Sequence, residues 1–353
     1  FDARSLDAGP SGTKTRLLRL APELARRGSA VAVLHAPELD AAARAALGGC
    51  RLLETAGPAR GALRRAFAAR RRHAEAARAF APDVVVAETW PMPPVAPAAL
   101  IAVVHDLRRL ERFGPSRALF RRWLATGAAA ATRVHAVSET VAAALRAAGV
   151  AEGKIDVVPN AVDVLDAERL KAATPPDLGG RFVLVAGHAE PRKDHALAAA
   201  VARAIADLGV VVVRVGRGRL RSPAVRDLGV VDDAVRDALF LRAEAVLAPS
   251  RLEGFGLAPL EAAAAGGRVV ASDIPAHRET LGEAADYFAV GDVDEAARHV
   301  RAACLAGALE RAGRAHQARA RAALWSPMRA AEAFEASLAR LRPTPSAGQH
   351  AGP

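Results

Sequence analysis

Residues 249–273 read PSRLEGFGLAPLEAAAAGGRVVASD. An apolar strand, 245–249 (AVLAP), runs out at Pro249-Ser250. A loop then carries Glu253-Gly254-Phe255-Gly256, and a helix is expected to begin near Ala258-Pro259. Proline suits the first turn of a helix, and Gly266-Gly267 stop this one about two turns later. A second apolar run, 268–272 (RVVAS), follows at once. Strand, loop, helix and strand in so short a space predict one unit of a parallel α/β sheet. The spacing puts Glu253 in the loop and Glu261 on the helix. The glycines let backbone amides approach a ligand closely, and the helix N-terminus adds positive potential suited to phosphate. Carboxylates beside an anion site do not bind the anion; their natural work is to accept hydrogen bonds from sugar hydroxyls. Ser250-x-x-Glu253 also fits a capping box with Glu261 on a solvated face, but that leaves the Gly-Phe-Gly insertion unexplained.

The same strand and helix alternation extends in both directions. Strands are expected at 30–34, 83–87, 100–104, 133–137 and 155–158, and a second set at 182–187, 210–215, 245–249, 268–272 and 285–290. Their apolar runs are continuous rather than alternating, as in strands buried on both faces with helices as crossovers. Between the two sets, 163–180 (DVLDAERLKAATPPDLGG) carries Pro175-Pro176 and Gly179-Gly180 and reads as a linker. Two sheets of similar size predict two Rossmann-like halves with a ligand pocket in the cleft between them. The expected boundaries are 1–163, a linker at 164–180, 181–325, a helix at 326–342 that crosses back to the first half, and a disordered tail at 343–353.

Composition bounds the function. The chain has 353 residues, 52% hydrophobic and 25% charged, which is globular and excludes a wholly disordered chain. The formal net charge of +11 is carried almost entirely by arginine in an alanine-rich sequence, a pattern that resembles GC-rich coding bias. Cys50 and Cys304 are the only cysteines, which rules out a disulfide framework and disfavours a cysteine zinc site. No run of about 18 apolar residues marks a transmembrane helix. The opening Phe1-Asp2-Ala3-Arg4 is neither a signal peptide nor an initiator Met, and the first strand reads as clipped. The expectation is a cytoplasmic protein, with the inner face of the membrane as a further possibility.

Two nucleotide motifs fail on inspection. Gly9-Pro10-Ser11-Gly12-Thr13-Lys14-Thr15 has Thr13 where a Walker A loop needs glycine before its lysine. What remains is a glycine loop opening the first helix, either facing a phosphate or polar substrate or serving as a plain turn. Gly216-Arg217-Gly218 follows the strand VVVVRV, but Arg221 occupies the place of the third glycine in a dinucleotide fingerprint.

Glu253-x7-Glu261 resembles the EX7E motif of the family 4 glycosyltransferases, whose fold is GT-B. Other segments match in the family's order. Asp2-Ala3-Arg4 with the Gly9/Gly12 loop resembles the opening strand and glycine loop, and Val104-His105-Asp106 the "HD" strand end. Val137-Ser138-Glu139 and Val158-Pro159-Asn160-Ala161-Val162-Asp163 resemble the "VSE" and "PNGVD" segments. Gly187-His188-Ala189-Glu190-Pro191-Arg192-Lys193 resembles the "EPRK" donor-phosphate loop, and Ser272-Asp273-Ile274-Pro275-Ala276-His277-Arg278-Glu279 the "SDIPALRE" segment. The ordered set spans about residues 1–325, and its flavour is similar to members that build bacterial O-antigen or other surface polysaccharides, often with mannose-type donors.

The resemblance implies a retaining transfer of a hexose from a nucleoside-diphosphate sugar to a glycan or lipid-linked acceptor, with no metal or other cofactor. Fixed cations must then stabilise the leaving diphosphate. Lys193 matches the family's phosphate-binding lysine, and Arg192 adds a bidentate contact. Glu253 would bind donor-sugar hydroxyls, Glu261 the ribose hydroxyls, and His105 would lie beside the sugar. The amides of Phe255, Gly256 and Leu257, with Gly12 and His188, complete the implied donor site. Three positions depart from the family: His188 stands where many members have Arg, Ala161 follows Asn160 in place of Gly, and the chain is short between Gly218 and Leu228, where a helix bordering the nucleoside pocket usually follows the strand.

Arginines cluster at 60–78 and at 108–122, the latter interleaved with Leu110, Phe113, Leu119, Phe120 and Trp123. Solvated helical faces account for this charge, and docking on an anionic membrane surface is the competing account. Nucleic acid is not an expected partner, since no nucleic-acid motif accompanies the charge. Two other functions fit the scaffold: a nucleotide-sugar epimerase or hydrolase, and a non-catalytic nucleotide-sugar-binding descendant.

Overall fold

The computed structural model describes residues 1, 12–35, 39–54, 75, 80–88, 98–108, 115–163 and 175–341. Outside them lie Asp2-Ala3-Arg4 and Gly9, nearly all of the 60–78 arginine cluster, the middle of the 108–122 cluster, most of the expected linker and the tail.

The first half is built on parallel strands. β1 (Ala32–His35) pairs with β2 (Arg51–Glu54), and β3 (Val84–Ala87), β4 (Ala99–Val104), β5 (Arg133–Ala136) and β6 (Ile155–Val157) form a four-stranded sheet in that order. Among the described residues these helices accompany them: α1 (Gly12–Arg26), α2 (Ala41–Ala46), α3 (Pro115–Ala130) and α4 (Glu139–Ala147). In the second half β7 (Phe182–Ala186), β8 (Val211–Val215), β9 (Arg226–Asp227), β10 (Ala245–Ala248), β11 (Val269–Ser272) and β12 (Ala285–Phe288) make a six-stranded parallel sheet in the order β12-β11-β10-β7-β8-β9. The α/β architecture of parallel sheets in two halves expected from the apolar runs is the one observed, with the β1-β2 pair set apart from the four-stranded sheet of the first half among the described residues.

Alternation within the buried strands assigns the faces. Val183 and Val185 of β7 pack with Leu197 and Val201 of α5 (His195–Ala204) and Val300 of α9 (Val293–Leu305). Leu184 faces the other way, into the core that holds Leu239 of α6 (Asp233–Arg242) and Leu260 of α7 (Leu257–Ala265). β8 carries one buried charge, Arg214, whose guanidinium bonds Asp227 and the carbonyls of Gly187, Arg217 and Gly218. Among the described residues no helix is long and apolar enough to cross a membrane.

Two strands were not legible in the sequence. β2 (RLLE) has only two apolar residues, both half-buried, between exposed charged ends. β9 is two residues long and is fixed by the Arg214–Asp227 ion pair rather than by apolar patterning. Helix α7 begins at Leu257, one residue before the expected start, because Gly256 supplies the left-handed N-cap.

The strand order places the site. β7 is central, with β8 and β9 on one side and β10 on the other, so the chain reverses its winding direction between β7 and β10. Open α/β sheets leave a crevice beyond the carboxyl ends of strands at such a switch point. The loops after β7 and β10 carry Arg192-Lys193 and Glu253-Gly254. After α8 (Pro275–Leu281) and α10 (Ala308–Ala322), the last helix α11 (Pro327–Ala339) packs on the first half, where Glu335 pairs bidentately with Arg27 of α1 at 2.9 and 2.7 Å.

Candidate active site

Beyond β7, a 3-10 turn over Pro191–Lys193 presents two cations to the loop beyond β10. Lys193 Nζ donates to Glu253 Oε1 at 2.5 Å and Arg192 Nη1 to Glu253 Oε2 at 2.7 Å. Ser250 Oγ also donates to Glu253 Oε1, at 2.7 Å. This bond joins two side chains, whereas a capping box joins each side chain to the other's backbone amide, and the helix α7 starts only after Gly256; the capping-box reading of Ser250 and Glu253 does not hold. Burial opposes the charge on Glu253, yet Lys193 and Arg192 outweigh it and hold the carboxyl down at about 2. Glu253 is thus ionised at neutral pH and can act toward a ligand only as an acceptor.

The glycines around it are there for two different reasons. Gly256 caps α7 at φ 83°, where L side chains are strained, and leaves the helix N-terminus without a side-chain cap. Gly254 is a matter of space: a Cβ there would stand 1.8 Å from the carbonyl oxygen of His105, in the other half of the molecule. The loop is held in that contact by Ser138 Oγ, the N-cap of α4, which donates to Gly254 O at 2.5 Å. Phe255 turns its ring inward, edge-on to Trp325 at 5.2 Å, so only its backbone belongs to the site.

Facing this loop, the first half contributes His105 and Asp106 at the end of β4 and Gly12 at the start of α1. A Cβ on Gly12 would meet Leu257 Cδ1 at 3.2 Å, so the N-termini of α1 and α7 open on one cavity. Both ends carry positive potential. The cavity holds about 390 Å³ and is lined by His105, His188, Arg192, Lys193, Glu253 and Glu261 as well as the two helix starts. That is within the range of roughly 300–1,000 Å³ typical of small-molecule sites. Glu261 reaches it from α7 and lies 3.4 Å from Arg19 Nη1 of α1. Burial works against the charge on Arg236, which lines the same end, but Glu261, Asp237 and Asp233 outweigh it and raise its pKa.

His188 stands where the family resemblance expects arginine. Its Nδ1 accepts from the amide of Arg217 at 3.2 Å, and this ties the loop after β7 to the loop after β8. No helix occurs between β8 and β9. Asp227 organises the short segment instead, accepting from the amides of Leu220 at 2.8 Å and Gly229 at 3.1 Å. A wider, more open hollow of about 820 Å³ lies over residues 218–229, apart from the carboxylates and cations of the cleft.

Arg16 and Glu88 carried no signal in the motif reading. Arg16 sits in the apolar stripe of α1 and Glu88 just after β3; both are buried, and Glu88 Oε2 lies 3.0 Å from His105 Nε2. Arg108 bonds Glu190 across the cleft at 3.1 Å. Glu279 of α8 accepts from the amides of Glu139 and Thr140 at the start of α4, at 2.7 and 2.9 Å. Glu88 had one available sign: a charged residue at the carboxyl end of a buried parallel strand is where such sheets place function.

Comparison with known proteins adds the family. Residues 10–164 match the domain described as Glycosyltransferase Family 4, and residues 180–304 the domain described as Glycosyl transferases group 1. Phosphatidyl-myo-inositol mannosyltransferase of Mycolicibacterium smegmatis (strain ATCC 700084 / mc(2)155) is 38% identical over 168 residues, 43% of this chain and 42% of that protein. The protein of the same description from Mycobacterium leprae (strain TN) is 35% identical over 153 residues, 38% of this chain and 40% of that protein. The alignments therefore span less than half the length of these curated relatives. Among solved structures, Anabaena Alr3699/HepE in complex with UDP and glucose superposes with a TM-score of 0.72 at 19% identity, covering 96% of this chain and 98% of that one. Sucrose-phosphate synthase from Thermosynechococcus elongatus gives 0.74 at 17% identity over 96% and 98%. At such identities the likeness is one of fold, and the fold is the two-domain arrangement described above.

Proposed function

We propose that this chain, which belongs to the family 4 glycosyltransferases, transfers a hexosyl group from a nucleoside-diphosphate sugar to a glycan or lipid-linked hydroxyl. One observation carries the reading: the Lys193–Glu253–Arg192 cluster lies in one cavity with the N-termini of α1 and α7. A diphosphate there meets two side-chain cations and two positive helix ends. Glu253 offers its carboxylate to sugar hydroxyls and Glu261 to the ribose hydroxyls, while His105 approaches the sugar from the opposite domain. In the proposed step the bond from the anomeric carbon to the diphosphate breaks as the acceptor oxygen attacks the same face. The acceptor proton passes to a phosphate oxygen, and the configuration is retained. The charge that gathers on the departing diphosphate is met by Arg192, Lys193 and the helix ends, and no metal is required.

The curated relatives named for a phosphatidyl-inositol acceptor, and the solved neighbour with UDP and glucose, support a nucleotide-sugar donor and a lipid-borne acceptor. On α3, Leu119 is 71% exposed beside the exposed Arg117, Arg121 and Arg122, a surface suited to an anionic membrane that carries such an acceptor.

Thermal stabilisation by GDP-, UDP- and ADP-sugars tests the site. One nucleotide should raise the melting temperature, and Lys193→Ala or Glu261→Ala should abolish the rise without lowering the melting temperature of the free protein by more than a few degrees. Equal stabilisation of both variants would remove these residues from the donor site. Transfer of labelled sugar to a lipid or glycan acceptor, with free nucleoside diphosphate as the second product, tests the reaction.

A further inference from the structure

His105 reaches the cavity from the end of β4, and behind it lies a pair of opposite charges with almost no access to water. The side chain of Glu88 has 0% exposure and that of Arg16 has 1%. Glu88 Oε2 stands 3.0 Å from His105 Nε2, and Glu88 Oε1 stands 3.5 Å from Arg16 Nε. Arg16 Nη1 donates at 2.8 Å to the carbonyls of Val158 and Pro159, the segment that leads to Asn160 on the cavity wall. Among the described residues Glu88 Oε1, Arg16 Nε and Arg16 Nη2 have no hydrogen-bond partner, so the Arg16–Glu88 contact is an attraction of charges rather than a well-made bond. Well-packed apolar side chains in these places would often be at least as stable. Packing therefore does not explain a carboxylate at this position.

We propose that Glu88 is the positioning residue of His105: its carboxylate accepts the Nε2 proton and fixes both the orientation and the tautomer of the ring. Burial opposes the charge on Glu88, but the bond from His105 and the Arg16 guanidinium outweigh it and hold the carboxyl below its usual range. An ionised carboxylate accepts only, so Nε2 must be the nitrogen that bears hydrogen. In the neutral ring Nδ1 is then left as a lone-pair acceptor, the state required to receive a hydrogen bond from a donor-sugar hydroxyl. Arg16 acts one step further back: it holds the charge of Glu88 and ties α1 to the end of β6. The role of His105 toward sugar rests on the glycosyl-transfer reading, whereas the state of its ring does not.

Two-bond proton–nitrogen correlation on protein labelled with 15N at its histidine rings reads that state directly, with His105 assigned by the loss of its signals in His105→Gln. At about pH 8 the wild-type ring should be the Nε2–H tautomer with that proton protected from solvent exchange; an Nδ1–H tautomer or an unprotected mixture overturns the proposal. Glu88→Gln removes the charge, and Arg16→Met/Glu88→Leu removes both partners without stranding either, so a folded form of at least one is expected by thermal melt. Either folded variant should lose the proton's protection. Its kcat should fall roughly 10- to 100-fold while the donor KM changes less than about threefold, as for carboxylates that orient a functional histidine. A folded variant with a wild-type ring and wild-type kcat sinks the idea. A wild type with the Nε2–H tautomer that transfers no sugar counts against the proposed reaction and leaves the hold of Glu88 on the ring established.

Discussion

Gly254 shows how much one residue can decide. The Cβ of any other side chain would lie 1.8 Å from the His105 carbonyl oxygen, far inside contact distance, and that atom is backbone that cannot swing aside. Gly254→Ala must therefore push the two halves apart by an ångström or more at the proposed site of transfer. Displacements of about 1 Å cost on the order of 100-fold in rate. We expect kcat/KM for sugar transfer to fall by about that factor while far-UV circular dichroism stays unchanged, since His105 and Gly254 lie just beyond the ends of their strands and no strand pairing passes through the contact; a rate within about threefold of wild type would show that the cleft is not closed as described. The glycine itself was legible in the sequence, as part of a loop between strand and helix. The neighbour that requires it was not, because His105 lies on a different sheet. Lys193 and Glu253 are alike in this respect: each was singled out by a local motif, and only folding puts Nζ and Oε1 2.5 Å apart.

At the scale of elements, α11 is attached to the first sheet by a buried polar cluster. Ser337 Oγ donates to Asp156 Oδ2 at 2.6 Å, so His135 Nε2, 2.8 Å from Ser337 Oγ, must be the donor there. Arg133 and Arg340 complete the ion pairing around Asp156. Among the described residues His135 Nδ1 has no partner, and burial, reinforced by the nearby Arg16 charge, lowers the histidine pKa to about 3 from 6.5. The sign of the linkage follows. Between those values the unfolded chain takes up a proton that the native state refuses, so stability falls as pH falls from 6.5 toward 3. The His135 contribution is a slope of up to about 1.4 kcal/mol per pH unit across that window. Urea midpoints measured from pH 7 to pH 5 should decline more steeply in wild type than in His135→Gln; parallel slopes would mean that the histidine titrates in the native state. Carboxylates such as Glu253 and Asp156, with depressed pKa values, add their own losses only below about pH 4.5. The sequence pattern read 133–137 only as a strand of the first set, with nothing to set His135 apart from its apolar neighbours. Strands β2 and β9 escaped for the opposite reason, since neither carries the apolar run by which a buried strand is recognised.

At the scale of the whole molecule, closure of the cleft rests on contacts made far from the proposed chemistry as well as within it. Glu279 of α8 places its carboxylate on the N-terminus of α4, accepting from Glu139 N at 2.7 Å and from Thr140 N and Oγ1 at 2.9 and 2.7 Å. An anion on a helix N-terminus is favourable by up to about 2 kcal/mol when partly buried. Here the anion and the helix belong to different halves, so that energy favours the closed form. Glu279→Ala should open the resting molecule, raising the radius of gyration in small-angle scattering and the donor KM by about five- to thirtyfold, with little change in the melting of either half. An unchanged radius and KM would show that closure does not depend on this contact. The sequence by itself determined the parallel sheets of the two halves, the loops at their carboxyl ends and the segments that resemble the family, because each is written in residues close together along the chain. The tertiary structure decided which charges meet: Glu88 with Arg16 and His105, Glu261 with Arg19, Glu279 with α4. A charged residue destined for burial looks the same in a short window as one bound for solvent, and its partner is chosen only when strands and helices distant in sequence pack together.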